Sequence, residues 1–347
     1  MMRYKPGSLL AGLFATLVVM PLSVAFAQDP STRARTTPVV ACAYSPNGGS
    51  LVIARHDRVE VRNVLAGDSR TLDIKIPRAA AIAFDPTGQL LAVAGGTPGE
   101  SGVVILWDFK ASKSLAKVEG MTDLATAVAF SPDGSLLAVG SADRTVRLTR
   151  IDRKRDALQT RSAGVLVGHG GAVTSVVFSP DSKLIATSSV DRSIKVWTVT
   201  DGALLRTLSN HTDSVHAIAG RSHSDPKAPW TIASASDDRT VRIWQPGIGR
   251  MVRIVRGHEG PVLAVAWAAD GKTLLSLGTE GIVRAIECDG DQILRSVPAH
   301  ADWGYAIAVS PDGRSFATGG WAGDVVIWKI DKSGSISPAD SKPGSTR

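Results

Sequence analysis

The sequence predicts an all-β fold, a seven-bladed β-propeller whose blades are four-stranded antiparallel sheets. Three observations lead to it. A polar turn followed by an alternating strand is restated as SADRTVRLT (141–149), SVDRSIKVW (189–197) and SDDRTVRIW (236–244), at intervals of 48 and 47 residues. A short apolar strand running into a Pro/Asp/Gly turn recurs six times. The apolar runs are brief, bounded by turn residues and free of helical periodicity, which is the pattern of strands. A period of this length marks a unit that must stack on copies of itself to bury its faces. Radial stacking of small sheets achieves that and leaves only short edges open.

Taken in chain order, the strand-and-turn marker reads CAYSPNGG (42–49), IAFDPTGQ (82–89), VAFSPDGS (128–135), VVFSPDSK (176–183), VAWAADGK (265–272) and IAVSPDGR (307–314). Proline presets φ, Asp or Asn bonds the local backbone and Gly takes positive φ, so each marker is a turn by mechanism. A further copy is disguised in HAIAGRSHSDPKAPWTIASAS (216–236), where the connection between strands has grown. After each turn comes a second apolar strand (LLAVG, LIATSS, TIASAS, SFATGG), a tight polar turn and a third strand ending in a large residue. Seven units give about 46 residues each, near the ~40–45 of a four-stranded blade. The second unit carries an inserted GGTPGES (95–101), which opens no helix and so reads poorly as a phosphate loop. The densest basic run, RLTRIDRKRDALQTR (147–161), is expected as a solvated connecting loop. Ring closure has two candidates: the N-terminus completes the last blade, or GSIS (334–337) supplies its outer strand.

The first residues are set aside from the fold. Arg3 and Lys5 precede a chargeless stretch from Pro6 to Ala27 that ends in Ala25-Phe26-Ala27. A basic start, an apolar run and an A-x-A site predict a secretory signal peptide over 1–27, cut after Ala27. Kept uncleaved, the run approaches the ~20 residues of a membrane span, the one case in which a membrane association is expected. The predicted division is signal 1–27, lead-in 28–35, propeller 36–335 and disordered tail 336–347. The localisation that follows is periplasmic or extracellular. Only Cys42 and Cys288 occur, so the chain is not a disulfide scaffold, and each thiol is expected separate and mostly buried. Loss of Arg3 and Lys5 lowers the formal charge from +7 to +5. A basic balance can suit nucleic acid, but an exported protein does not meet it, and no nucleic-acid partner is expected.

The motifs resemble those of WD-repeat β-propellers, over residues 36–335. Gly168-His169, Gly257-His258, the variants Asn210-His211 and Ala299-His300, the SPDG turns and the strand-closing Trp residues carry the likeness. Only LWD (106–108) holds the eponymous dipeptide. In that family a His before the first strand, a Ser/Thr in the second, the turn Asp and the closing Trp form a hydrogen-bonded set. The resemblance assigns this structural role to His169, Thr187, Asp191 and Trp197 in the fourth unit, and to His211, Ser234, Asp238 and Trp244 in the fifth. It places the Asp as a tie to the next blade's strand. A catalytic triad is not expected, because the set recurs in two blades and its Trp would cap it. Other units lack members: Ala322 stands where the seventh needs Asp, Glu280 replaces Asp in the sixth, and the third ends at Thr149.

Function is sought in exposed residues out of place. By family analogy, three positions per blade face the top surface: those three and five after the His, and the one before the turn Asp. In the fourth unit these are Ala172, Thr174 and Val190; in the seventh they are Trp303, Tyr305 and Trp321. Clustered aromatic side chains bury much area at low entropy cost and make interface hot spots. The competing expectation is that Trp321 fills space left by the missing Asp, or that the cluster plugs the ring. His56 takes the matching place in unit 1, and His216 and Asp237 take matching places in unit 5. The expected partner-binding residues are therefore Trp303, Tyr305, Trp321, His56, His216 and Asp237.

The channel positions Val40, Ala80, Thr126, Thr174, His216, Leu263 and Tyr305 offer one His and no carboxylate, a poor start for catalysis. His211, His216 and His223 are spaced unlike any common metal site, and no C-x-x-C-H occurs for haem. No catalytic residue, metal or cofactor is expected. The reading is a monomeric, non-catalytic interaction scaffold that docks an exported or membrane-attached protein on the top of blades 7, 1 and 2. The alternative is a small-ligand binder or hydrolase-type enzyme using the channel.

Overall fold

The computed structural model describes residues 37–154, 157–221, 227–289, 292–331 and 335–339. The predicted signal peptide, the lead-in 28–35 and the tail from 340 lie outside them. Seven four-stranded antiparallel sheets follow one another, each built of four consecutive strands in simple up-and-down order. The inner strands are Val39–Tyr44, Ala79–Phe84, Ala125–Phe130, Val173–Phe178, Val215–Gly220, Val262–Trp267 and Gly304–Val309, which number the blades 1 to 7. Each inner strand packs on the inner strands before and after it, and that of blade 1 also packs on that of blade 7. The ring is thus closed by side-chain packing between blades 7 and 1. Among the described residues no strand is lent from one terminus to the other's sheet. The outer strand of blade 7 is Ile336–Pro338, paired to Trp328–Ile330. This settles closure in favour of the C-terminal side and corrects the boundary at 335, since 336–338 is strand rather than tail.

Core composition explains the close stacking. In each blade the second strand is buried along its length, as in LLAVGS of blade 3 and LIATSS of blade 4. Ala92, Ala138, Ala186, Ala233 and Ala317 are fully buried there, small enough to let adjacent sheets approach. Large side chains from the neighbouring blade fill the remaining space, as Trp197 does among Leu148, Leu166 and Phe178. The bottom turns interlock around the ring: Gly88 stacks on Pro46, Gly134 on Pro86 and Gly48 on Pro311, across the closure.

One irregularity repeats in all seven blades. The pairing of inner and second strands shifts register across the second residue of the inner strand. A bulged residue is unpaired and its side chain is re-aimed. The residues so turned are Val40, Ala80, Thr126, Thr174, His216, Leu263 and Tyr305, and they line the central channel, a space of about 350 Å³.

The basic run at 147–161 departs from expectation. It is no loop but a long hairpin, Thr145–Lys154 paired with Ala157–Val167, in which Arg150 faces Arg161 and Asp152 faces Gln159. It leans back on blade 2. There the turn reads Asp85-Pro-Thr87, where blades 1, 3, 4 and 7 begin with Ser. Asp85 is fully buried, and Arg153 reaches it at 2.6 Å. Arg153 on the hairpin thus neutralises a buried carboxylate.

Candidate functional site

The polar sets come first because they decide what is inert. His169 Nδ1 lies 2.8 Å from Asp191 Oδ2, and its Nε2 lies 2.8 Å from Thr187 Oγ1. Trp197 Nε1 donates to the same hydroxyl at 2.9 Å. Blade 5 repeats the chain: His211 to Asp238 at 2.7 Å, His211 to Ser234 at 2.7 Å, Trp244 to Ser234 at 2.9 Å. The proton order is Trp to hydroxyl, hydroxyl to His, His to Asp. Each hydroxyl is fully buried and its oxygen already accepts from an indole, so no substrate reaches it. The Asp carboxylate also takes the Gly170 or Thr212 N–H. The tie is therefore to the lead-in loop of the Asp's own blade, and not to the next blade's strand. Against the upward push of burial, hydrogen bonds from Ser193, His169 and Gly170 hold Asp191 at about 2.

Blade 7 corrects the expectation of a missing carboxylate. Asp324, two positions beyond Ala322, bonds His300 Nδ1 at 2.5 Å, and Trp328 donates to Thr318 at 3.0 Å. Gly320 makes this possible. It stands where the sister blades carry Ser141, Ser189 and Ser236, and a Cβ on it would lie 2.5 Å from Asp324 Oδ1 and 2.7 Å from His300 Nδ1. The pairing of Gly320 with Asp324 was the sequence signal to read. In blade 6, Glu280 overshoots the imidazole and takes the Gly260 N–H and Arg284 instead. His258 keeps Ser276 at 2.9 Å, while its Nδ1 has no partner among the described residues. Burial, helped by the Arg284 charge against that of Glu280, drives His258 down to about 4.

The space beneath Trp321 is thus already served, and Trp321 turns outward. Trp303 and Trp321 are 47% and 49% exposed. With Tyr305 they form a closed trio, with ring centroids 6.2 Å apart for the two indoles and 6.1 and 5.9 Å from the phenol ring. The backbone explains the convergence: Trp321 N–H donates to Trp303 O at 2.8 Å, as Val190 N–H does to Ala172 O in blade 4. The inner-strand bulge aims Tyr305 beside them, at the channel wall. Burial, with the Asp302 charge, raises the Tyr305 hydroxyl above its ordinary value.

Trp321 also borders a cleft of about 510 Å³ whose other walls are Pro38, His56, Asp57, Pro77 and Arg78. The Arg78 guanidinium lies 3.1–3.2 Å from the two ring nitrogens of His56. Burial, aided by Arg78 against a hydrogen bond to Ala79 O, holds His56 below its ordinary value. Asp57 is tied to Thr37 at 2.7 Å and to Arg58 at 2.9 Å. The structure thus brings Trp303, Tyr305, Trp321 and His56 into one sector across blades 7 and 1. The sequence-predicted sites on blade 5 stand apart from it: His216 and Asp237 pair with each other at 2.7 Å at the channel. The blade 2 insertion is an extension of the hairpin to Thr97 and Ser101, and Gly99 N–H bonds Asp123 at 2.7 Å. Sequence reasoning missed Arg78 and Pro38, which precede strands and belong to no repeated motif.

Cys42 and Cys288 are both free, and burial pushes each thiol up to about 12. Among the described residues no cluster of His, Cys, Asp or Glu is arranged to hold a metal ion, and no helix is long and apolar enough to cross a membrane.

The family model described as WD domain, G-beta repeat, matches residues 112–149, 160–198, 202–245, 249–285 and 291–329. Each match runs from one blade's outer strand or the turn before it through the third strand of the next. Blade 1 and the first three strands of blade 2 carry the same strand order outside the matched residues. No curated protein matches the chain.

Proposed function

The chain belongs to the WD domain, G-beta repeat family, and on that premise we propose that it is a non-catalytic scaffold docking a protein partner on the top of blades 7, 1 and 2. Propellers of this family generally serve as protein-interaction scaffolds. The observation that carries the finer reading is the trio of Trp303, Tyr305 and Trp321, with both indoles about half exposed and no packing void left for them to fill. Rigid aromatic anchors beside a cleft with one guanidinium are the composition of an interface hot spot. The place of action we propose is the periplasm or cell exterior, on the strength of the basic, apolar and A-x-A order of residues 1–27.

The test compares full-length wild type with Trp303→Ala/Trp321→Ala as bait against the exported fraction, with circular dichroism as the control for folding. A partner retained by wild type and lost by the folded variant supports the docking face. A partner retained equally by both removes it. The His216–Asp237 pair favours a second reading, in which the channel holds a small ligand or substrate. Its other walls are apolar or hydroxylic, and Thr126 and Thr174 spend their hydroxyls on the carbonyls of Val173 and Val215.

A further inference from the structure

Five of the seven blades share one packing rule, blade 1 sets Val52 against Val61 instead, and blade 6 inverts it. At mid-sheet a small residue of the second strand faces a large aliphatic residue of the third: Ala92 faces Leu106, Ala138 faces Leu148, Ala186 faces Val196, Ala233 faces Ile243 and Ala317 faces Ile327. In blade 6 the pair is reversed, with Leu275 facing Ala285. The reversal moves bulk toward the channel and leaves the outer half of the blade 6/7 interface thin. The neighbour does not make up the loss, since the outer strand of blade 7 has three residues where the other outer strands have four to eleven.

A cleft of about 550 Å³ results, within the range of roughly 300–1,000 Å³ of small-molecule sites. Its body is Leu275, Ala285, Leu294, Ile330 and Ile336, and Leu294 is 53% exposed at the rim. Charged groups stand at the mouth. Asp270 is spent on its own turn, accepting from Lys272 N–H at 2.8 Å and Thr273 N–H at 2.9 Å. Asp331 accepts from Ser335 N–H at 2.8 Å. The Arg314 guanidinium has no hydrogen-bond or ion-pair partner among the described residues. Asp312, which feels its charge, is occupied by the Ser310 hydroxyl and the Arg314 backbone N–H.

We propose that the cleft between the outer halves of blades 6 and 7 is a binding site for a small aliphatic anion, its chain lying against Ala285, Leu275 and Ile336 and its head group on Arg314. The site is on the opposite rim from the aromatic trio, so it stands whether or not the docking face does. Carboxylate on guanidinium is a charge-assisted contact, and the apolar walls give the chain its affinity.

Decanoate is the probe, titrated calorimetrically into the full-length protein below its micelle concentration, with decylamine as the cationic match. One saturable decanoate site is expected, at least tenfold weaker in Ala285→Ile, which fills the cleft with the residue of blades 5 and 7. Arg314→Gln is expected to weaken decanoate several-fold and to leave the fold untouched, since Arg314 is exposed; it keeps the test open should Ala285→Ile misfold. Absence of saturable binding overturns the proposal. So does decanoate binding unchanged in both variants, or decylamine binding as tightly as decanoate.

Discussion

Arg153→Met is expected to destabilise the propeller although it changes one residue of a surface hairpin. The reason is Asp85, whose side chain is fully buried while that of Arg153 is 32% exposed. The carboxylate has four donors: Arg153 at 2.6 Å, Leu90 N–H at 2.6 Å, Thr87 N–H at 3.1 Å and the Thr87 hydroxyl at 2.5 Å. Burial pushes its pKa up, and those hydrogen bonds with the Arg153 charge bring it below the ordinary carboxylate value. Removing one member of a buried pair costs ~3–5 kcal/mol, because an uncompensated charge is left behind. Here three donors remain and water reaches the guanidinium side, so about 2 kcal/mol is expected. The repeat supplies the compensating change. Ser45, Ser131, Ser179 and Ser310 hold the Asp85 place in other blades and receive the same N–H five residues on. Asp85→Ser should therefore rescue most of the loss when combined with Arg153→Met. Urea unfolding of the wild type, both single variants and the double variant gives the coupling, expected above about 1 kcal/mol. Additive effects, or an Arg153→Met variant within about 0.5 kcal/mol of wild type, would refute the role of the buried charge.

Acid is expected to weaken the fold in two stages. His258 is held at about 4 and His169 and His211 also lie below their ordinary 6.5, burial being the first cause in each. The unfolded chain then binds protons that the propeller excludes, so stability is full above pH 6.5 and falls as the pH drops toward 4, by about 3 kcal/mol at most for His258. Asp191, at about 2 against 3.8, adds a loss that begins below 3.8 and is complete only near 2; a urea midpoint unchanged between pH 7 and 4.5 contradicts the first stage. Thr187→Val keeps the shape but strands the Trp197 N–H and His169 Nε2, and should cost about 2–4 kcal/mol in the same assay, whereas a loss below about 0.5 kcal/mol would mean the set is not load-sharing. Amide exchange should be slowest in the second strands of blades 4 and 5, where the sets are complete, and uniform protection around the ring would count against this.

Most of the architecture was legible because the repeat is stated seven times in turn chemistry and alternation. The channel residues were legible for the same reason, since one bulge per blade aims the same inner-strand position each time. What escaped were residues whose roles depend on a partner from another blade or on space left by a neighbour. Arg153 reads as one basic residue among many in 147–161 until Asp85 is placed opposite it. Asp324 reads as an ordinary turn residue until Gly320 vacates the room for its carboxylate. Arg78 lies ahead of an inner strand, and its approach to His56 crosses from blade 2 to blade 1. These are pairings across 4 to 68 positions, which periodicity does not report.

A repeat protein carries its own controls, and they separate repair from function. When one blade departs from the others, either a second departure restores the packing or charge, or it does not. Asp324 with Gly320, and Arg153 with Asp85, are pairs of this restoring kind: the first gives His300 Nδ1 its carboxylate, though Nε2 finds no partner among the described residues, and the second pairs a buried charge. Trp303 and Trp321 have no such counterpart. They replace Ala172- and Val190-like positions, rest on one another and on Tyr305, and leave about half of each indole in water. Exposing that much aromatic surface works against a monomer's solubility, and nothing in blade 7 requires it once Asp324 is in place. The trio is therefore the departure that stability does not account for, which is why it is the surface on which we propose that a partner docks.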